Sequence, residues 1–413
     1  MNNHPPYSRI LPVCPGYGWS RREFLKSMVA SAAMLPAVPP VLAAPRESPP
    51  VPPPRALSTI GLCKRYDYAE IRRVLSVMLE ELGDVRALAK NQYVTVKLNL
   101  VNTSEEDLGG LPVWLTVTVH PHVAMALGSL LVDYGAKQVT FCDQLPFREL
   151  GAEAFRGYGY RIEEFSQAMD GKVRFVNTRN RGEYDSYALV KVPDGGEIAS
   201  CWEVNQTYIK TDVLVSLGKL KSHVSAGITG GMKNLYGVPP SSLYGDDAGD
   251  EPNEDAMEYR SGTMHTCTKK PLTSVESFTG KTVENDHGFN VPRLIVDLNA
   301  AFPIHLVVID GISSIQSAEG WWIGSLVSVC RPGVLIAGRN PVCTDAVATA
   351  VMGFDPDAPD RHPPFANGDN HLAMARRKGL GENRISALEI AGVGLEKARF
   401  EYVPTYQRVN PSS

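Results

Sequence analysis

Cysteine is scarce in this sequence, and none of its seven cysteines stands in a C-x-x-C pair. That spacing argues against a zinc ribbon and against a ferredoxin-type iron–sulfur cluster, which draw their thiolates from close pairs. It argues equally against a disulfide-dense scaffold. One bridge stays open among Cys63, Cys142, Cys201, Cys267, Cys330 and Cys343; the rest read as buried thiols. A basic excess is missing too. The chain carries 41 Lys and Arg against 45 Asp and Glu, for a net charge of −4, so no nucleic-acid partner is expected. Long hydrophobic runs are absent. The best candidate, "SMVASAAMLPAVPPVLAA" (27–44), is broken by Pro36, Pro39 and Pro40, and no stable membrane span is expected of it.

What precedes that run is informative. Residues 20–26 read "SRREFLK", with adjacent Arg21 and Arg22. A basic stretch, a weakly apolar run and small residues at its end form a targeting segment, and the paired arginines mark the twin-arginine route. The expectation is a signal peptide over 1–43, read by the twin-arginine translocase, and a periplasmic or exported protein. Residues 45–54, "PRESPPVPPP", hold six prolines and read as a stiff extended spacer within a linker over 44–56. An α/β domain over 57–400 and a short tail over 401–413 complete the expected organisation.

The α/β expectation comes from periodicity. "YVTVKLNL" (93–100) alternates, placing Lys97 and Asn99 on the face opposite Val94, Val96 and Leu98. "HPHVAMALGSLLVDYGAK" (120–137) reads as a helix opened by Pro121 and stopped by Gly135. "QVTFCDQ" (138–144) reads as the next strand, ending on Asp143. "TDVLVSLGKLKSH" (211–223) and "HLVVIDGI" (305–312) are further apolar strands. "GVLIAGRNPVCTDAVATAVMG" (333–353) reads as a strand, a turn and a helix with Asp345 in its first turns. This order predicts a mixed, largely parallel sheet flanked by helices, in one or two α/β lobes. Asn99, Asp143, Lys219, Lys221, His223, Asp310 and Asp345 then fall at or just past strand ends, where ligands bind in open parallel sheets. Aspartates after strands also cap helices and shape turns.

One stretch concentrates the chemistry. "KLKSHVSAGITGGMKNLYG" (219–237) reads as a loop. Gly227, Gly230 and Gly231 allow positive φ and close backbone approach to a ligand. Thr229 adds a hydroxyl, Lys233 a point charge and Asn234 two donors. The set suits a small anion, a phosphate or a carboxylate; a glycine loop with a purely structural role is the alternative reading. The G-K-[ST] ending of a Walker A loop is missing. For a metal, the candidates are Asp143, His287, Asp310 and Asp345. The Trp321–Trp322 pair reads as core packing, with the wall of a pocket as the alternative, and "GDDAGDEPNEDAME" (245–258) as a solvated acidic loop.

"VTVKLNL", "TVHPHVAMAL", the lysine–histidine–glycine stretch, "VIDGI" and "IAGRNPVCTDAVA" occur in this order. The set resembles the family called domain of unknown function 362, over roughly residues 58–355. That resemblance implies an α/β fold without a settled activity. Many relatives carry a ferredoxin-like segment, which does not transfer to a chain without its cysteines. The spacing from His223 to Lys233 is also similar to the N-terminal domain of the nickel-pincer lactate racemases. By that resemblance Lys233 would anchor a metal-containing cofactor and His223 would shuttle a proton, as the catalytic pair. Those enzymes place a further histidine after the lysine, at a position filled here by Gly249, and His265 or His287 stands in only if folding brings it there.

The sequence thus predicts an exported protein that binds a small anionic ligand or cofactor through Lys97, Asn99, Lys219, Lys221, Gly227, Thr229, Gly230, Gly231 and Asn234, around His223 and Lys233. Two functions stay open: an enzyme of the racemase, isomerase or redox type, and a non-catalytic periplasmic binding or cofactor-carrier protein.

Overall fold

The computed structural model describes residues 41–42, 57–101, 107–108, 110–146, 151–248 and 259–407. The expected signal peptide, nearly all of the linker and most of the acidic loop lie outside these residues. Among the described residues, nine strands form the central sheet. In chain order they are β1 (Leu57–Leu62), β2 (Tyr93–Lys97), β3 (Gln138–Asp143), β4 (Val173–Asn177), β5 (Val213–His223), β6 (Gly227–Gly230), β7 (Leu306–Gly311), β8 (Val334–Gly338) and β9 (Glu389–Gly392). Across the sheet they run β9-β1-β8-β7-β5-β2-β3-β4, with β6 folded back on β5. All pairs are parallel except those made by β8 and by β6. One sheet therefore runs through the domain, and the expected mixed, largely parallel α/β architecture is what forms.

Period-two alternation builds the layers. On β5, Val213, Val215 and Leu217 join one core, with Leu306 and Val308 of β7. Leu214 and Leu220 join the other, with Val307 and Ile309. The first core is closed by helices α1 (Tyr68–Glu81) and α2 (Pro121–Asp133), the second by α3 (His287–Ala301), α4 (Pro341–Val351) and α5 (His371–Arg377). α1 buries Ile71, Val74, Leu75, Met78 and Leu79, the spacing of one helical face. Asp67 caps it by accepting from the Glu70 amide. α2 opens on Pro121 and gives way to Gly135 at φ +95°, as its sequence requires.

Strand lengths place the site. β2 pairs with β5 only as far as Ser216, and β7 only as far as Lys219. The last residues of β5 thus project past the carboxyl edge of the sheet and turn back as β6. The stretch expected to be a loop is a hairpin there, with Lys219 opposite Gly230 and His223 opposite Gly227. The six described cysteines are all free thiols, so no bridge forms among them.

Candidate functional site

The hairpin borders a cleft of about 530 Å³ at the carboxyl ends of β2, β3 and β5. Of the residues singled out by sequence, it gathers Lys97, Asn99, Asp143, Lys221, His223, Thr229, Lys233, Asn234 and His287. Lys219, Asp310, Asp345 and the three glycines of the hairpin are not on its wall. The reason lies in register and partners.

Parallel register sets Lys219 against Asp310. Their side chains meet at 2.9 Å, both with no exposure, and the Tyr66 hydroxyl donates to the same carboxylate at 3.0 Å. Burial pulls the Lys219 amine below its usual range, with Asp310 opposing. This pair is a structural tie beneath the cleft, not part of its surface. Asp345, at the start of α4, accepts from the amides of Gly231 (2.6 Å) and Met232 (2.9 Å). Gly230 is needed there for two reasons: its φ is +53°, and a Cβ would sit 2.5 Å from the Asp345 carboxylate. Asp345 therefore shapes the hairpin rather than binding a ligand.

Burial pushes the Asp345 carboxyl up to about 7, against those two amide bonds. Its contribution to stability is then complete below about pH 4 and is lost as pH rises through 7. Asp345→Ala orphans two buried donors and is expected to cost about 2–4 kcal/mol in denaturant unfolding. Asp345→Asn should cost less and flatten the pH dependence between about 4 and 7. An alanine variant as stable as the parent would show that the hairpin does not need this anchor.

Inside the cleft, the charges are unequally neutralised. Lys97 meets Asp143 at 2.7 Å, and Asp143 also accepts from the Leu100 and Gln144 amides. Asn234 locks this corner: its carbonyl accepts from Lys97 and Asn99, and its amide donates to Ser216 and the Lys97 carbonyl. Lys221 is buried and donates to the Val117 carbonyl at 3.0 Å. Lys233 is partly buried, with its amine 4.2 Å from the centre of the Tyr236 ring. His223 accepts at Nδ1 from the amides of Ser225 and Ala226, which places its proton on Nε2. In this tautomer Nε2 is a donor and not a base. The Thr229 hydroxyl is buried without a partner, as is the Asn99 carbonyl. Both residues line the cleft.

Residues outside the periodic segments complete the wall. Glu319 accepts from the Val224 amide at 2.7 Å, and Arg260 donates to the Tyr236 carbonyl at 2.5 Å. His265 reaches the cleft beside His287, their ring centroids 5.7 Å apart. Trp322, read from sequence as core, is 43% exposed and borders the cleft with Tyr259; its glycine-flanked segment leaves it at the rim. Of the four metal candidates, Asp143 and Asp310 pair with lysines, Asp345 accepts from amides, and His287 sits beside His265. Among the described residues no group of three or more His, Cys, Asp or Glu is placed to hold a metal ion. Lys233 and Lys221 are the lysines on the cleft wall besides the paired Lys97.

Comparison with known proteins gives a family and a remote structural likeness. The family described as "Domain of unknown function (DUF362)" matches residues 94–350. No curated protein matches the chain. Among solved structures, the lactate racemase apoprotein from Thermoanaerobacterium thermosaccharolyticum aligns with 13% identity and a TM-score of 0.34. The alignment covers 68% of this chain and 54% of that one, so the chain matches about half the length of the racemase. At that TM-score the likeness says nothing of activity.

Proposed function

The chain belongs to the family described as domain of unknown function (DUF362), and because that description assigns no activity, we propose a function from the cleft. The protein is an exported binder of a small anion, a carboxylate or phosphate, held between Lys221, Lys233, Thr229 and His223. One observation carries this reading. The Thr229 hydroxyl is buried, has no partner and lines the cleft that Lys221 and Lys233 also line. An orphaned buried hydroxyl costs on the order of 1–3 kcal/mol, a cost that a ligand oxygen removes. The orphaned Asn99 carbonyl suits a donor on the same ligand, such as a hydroxyl or amino group. The aromatic rim and the Nε2–H of His223 favour an enzyme of the isomerase or redox type over a carrier, because they enclose and orient a reacting group.

Export rests on the paired Arg21 and Arg22, and its partner is the twin-arginine translocase. Among the described residues no helix is long and apolar enough to cross a membrane. Both parts are tested in a host with a working twin-arginine pathway. The parent is expected in the periplasm and the Arg21→Lys, Arg22→Lys form in the cytoplasm; export of both would contradict the route. Native mass spectrometry of the exported protein is expected to show a bound small acid, or a covalent addition mapping to Lys233. A bare mass, with no thermal shift from carboxylates or phosphate, would contradict the binding reading.

A further inference from the structure

Three lysines in and under the cleft are essentially buried: Lys97 is 1% exposed, Lys219 0% and Lys221 1%. Two of them are neutralised, Lys97 by Asp143 and Lys219 by Asp310. Lys221 differs. Its amine donates to the Val117 carbonyl, which supplies a dipole but no charge. Among the described residues no carboxylate oxygen lies within 4.0 Å of it. A buried ammonium without a counter-charge is costly, and the group relieves that cost by shedding its proton. A neutral amine at the wall of an anion site is a nucleophile.

We propose that Lys221 is a catalytic residue that forms an imine with the carbonyl carbon of a small 2-oxo acid; the inference rests on the anion-binding reading above. The ligand's carboxylate meets Lys233 and the Thr229 hydroxyl, and its carbonyl meets Lys221. The amine nitrogen attacks the carbonyl carbon and a C–N bond forms. The carbonyl C–O bond then breaks, and the oxygen leaves as water with both amine protons. His223 lies two residues along the same strand, and both side chains line the cleft. Its Nε2–H is the donor for the carbonyl oxygen as negative charge develops there.

The surroundings favour this protonation state. Burial, then Lys233 and Lys219, pull the Lys221 amine down to about 7, while Glu319 and Asp143 oppose them. The reactive fraction therefore grows as pH rises through neutrality.

The test is reductive trapping. The full-length protein is incubated with pyruvate and sodium borohydride, and the adduct is located by peptide mapping. A single reduced adduct on Lys221 is expected, with a yield that rises several-fold between about pH 6 and about pH 8. Lys221→Met should abolish it, and the parent's own peptide map decides the matter if that variant does not fold. Oxalate, an anion without a ketone, is titrated in parallel by calorimetry. If oxalate and pyruvate bind but no adduct forms, or the adduct maps to Lys233 or surface lysines, the imine inference is wrong and the anion site stands. If neither binds, the anion site itself is wrong and the inference falls with it.

Discussion

Asp310→Ala is expected to cost about 3–5 kcal/mol of folding stability, the scale for breaking one side of a buried ion pair. Asp310 accepts from Lys219 at 2.9 Å, the Tyr66 hydroxyl at 3.0 Å, and the amides of His120 and Ile312 at 3.1 Å each. It thereby ties β5 to β7, to the start of α2 and to the segment after β1. Alanine orphans the His120 and Ile312 amides, leaves the Tyr66 hydroxyl only the Ser313 carbonyl at 3.3 Å, and leaves Lys219, with no exposure, only the Tyr66 hydroxyl and no counter-charge. Asp310→Asn keeps an acceptor and should cost less, because burial already favours the neutral form of Lys219. Replacing both partners, as Lys219→Met with Asp310→Leu, should cost less than Asp310→Ala alone, since no charge is left stranded. Denaturant unfolding of the three variants measures this. An Asp310→Ala protein within about 1 kcal/mol of the parent would remove the tie from the account.

Lys233→Met is expected to weaken binding of a small anion by about 10- to 100-fold while leaving the melting temperature within a few degrees. Losing one charge-assisted hydrogen bond costs about 1.5–3 kcal/mol of affinity. Lys233 is only partly buried, so the methionine side chain fills its space at the cleft wall. Thr229→Val is expected to move stability and affinity in opposite directions. It keeps the shape, removes a hydroxyl that is orphaned in the unliganded fold, and so raises stability by roughly 1 kcal/mol. The same change deletes a ligand contact and weakens binding about tenfold. A group that costs stability and supports binding is the signature of a functional site. Lys97→Met, by contrast, strands Asp143 and should destabilise the fold, although its lysine reads no differently in the sequence.

The sheet and its helices were legible because their signals are local. Alternation in Val213–Leu217, the Pro121 start and Gly135 stop of α2, and the helical spacing in α4 each act within a few residues. The cleft's position was legible too, since polar residues at successive strand ends converge in a parallel sheet. What escaped was non-local. Nothing in the sequence tells Lys219, which meets Asp310, from Lys221, which meets only a carbonyl; cross-strand register decides that. Four of the five residues from Gly227 to Gly231 are glycine or threonine, a pattern that predicts a loop, yet pairing with the projecting end of β5 makes it a strand. The reversed direction of β8 leaves no periodic trace. Arg260 and Glu319 lie in aperiodic segments, and only tertiary folding delivers them, with the sequence candidate His265, to the cleft. The same holds for the aspartates at strand ends: Asp143 and Asp310 meet lysines and Asp345 meets amides, partners that only the folded register supplies.

The proposed site binds a small anion beside Lys233, at the Thr229 hydroxyl that the fold leaves without a partner. Calorimetric titration of oxalate into the parent, Thr229→Val and Lys233→Met tests it most directly, with thermal unfolding of the same samples. Saturable one-to-one binding by the parent and weaker binding by both variants are expected, with Thr229→Val the more stable protein. Equal affinity in all three, or no saturable heat in the parent, would contradict it.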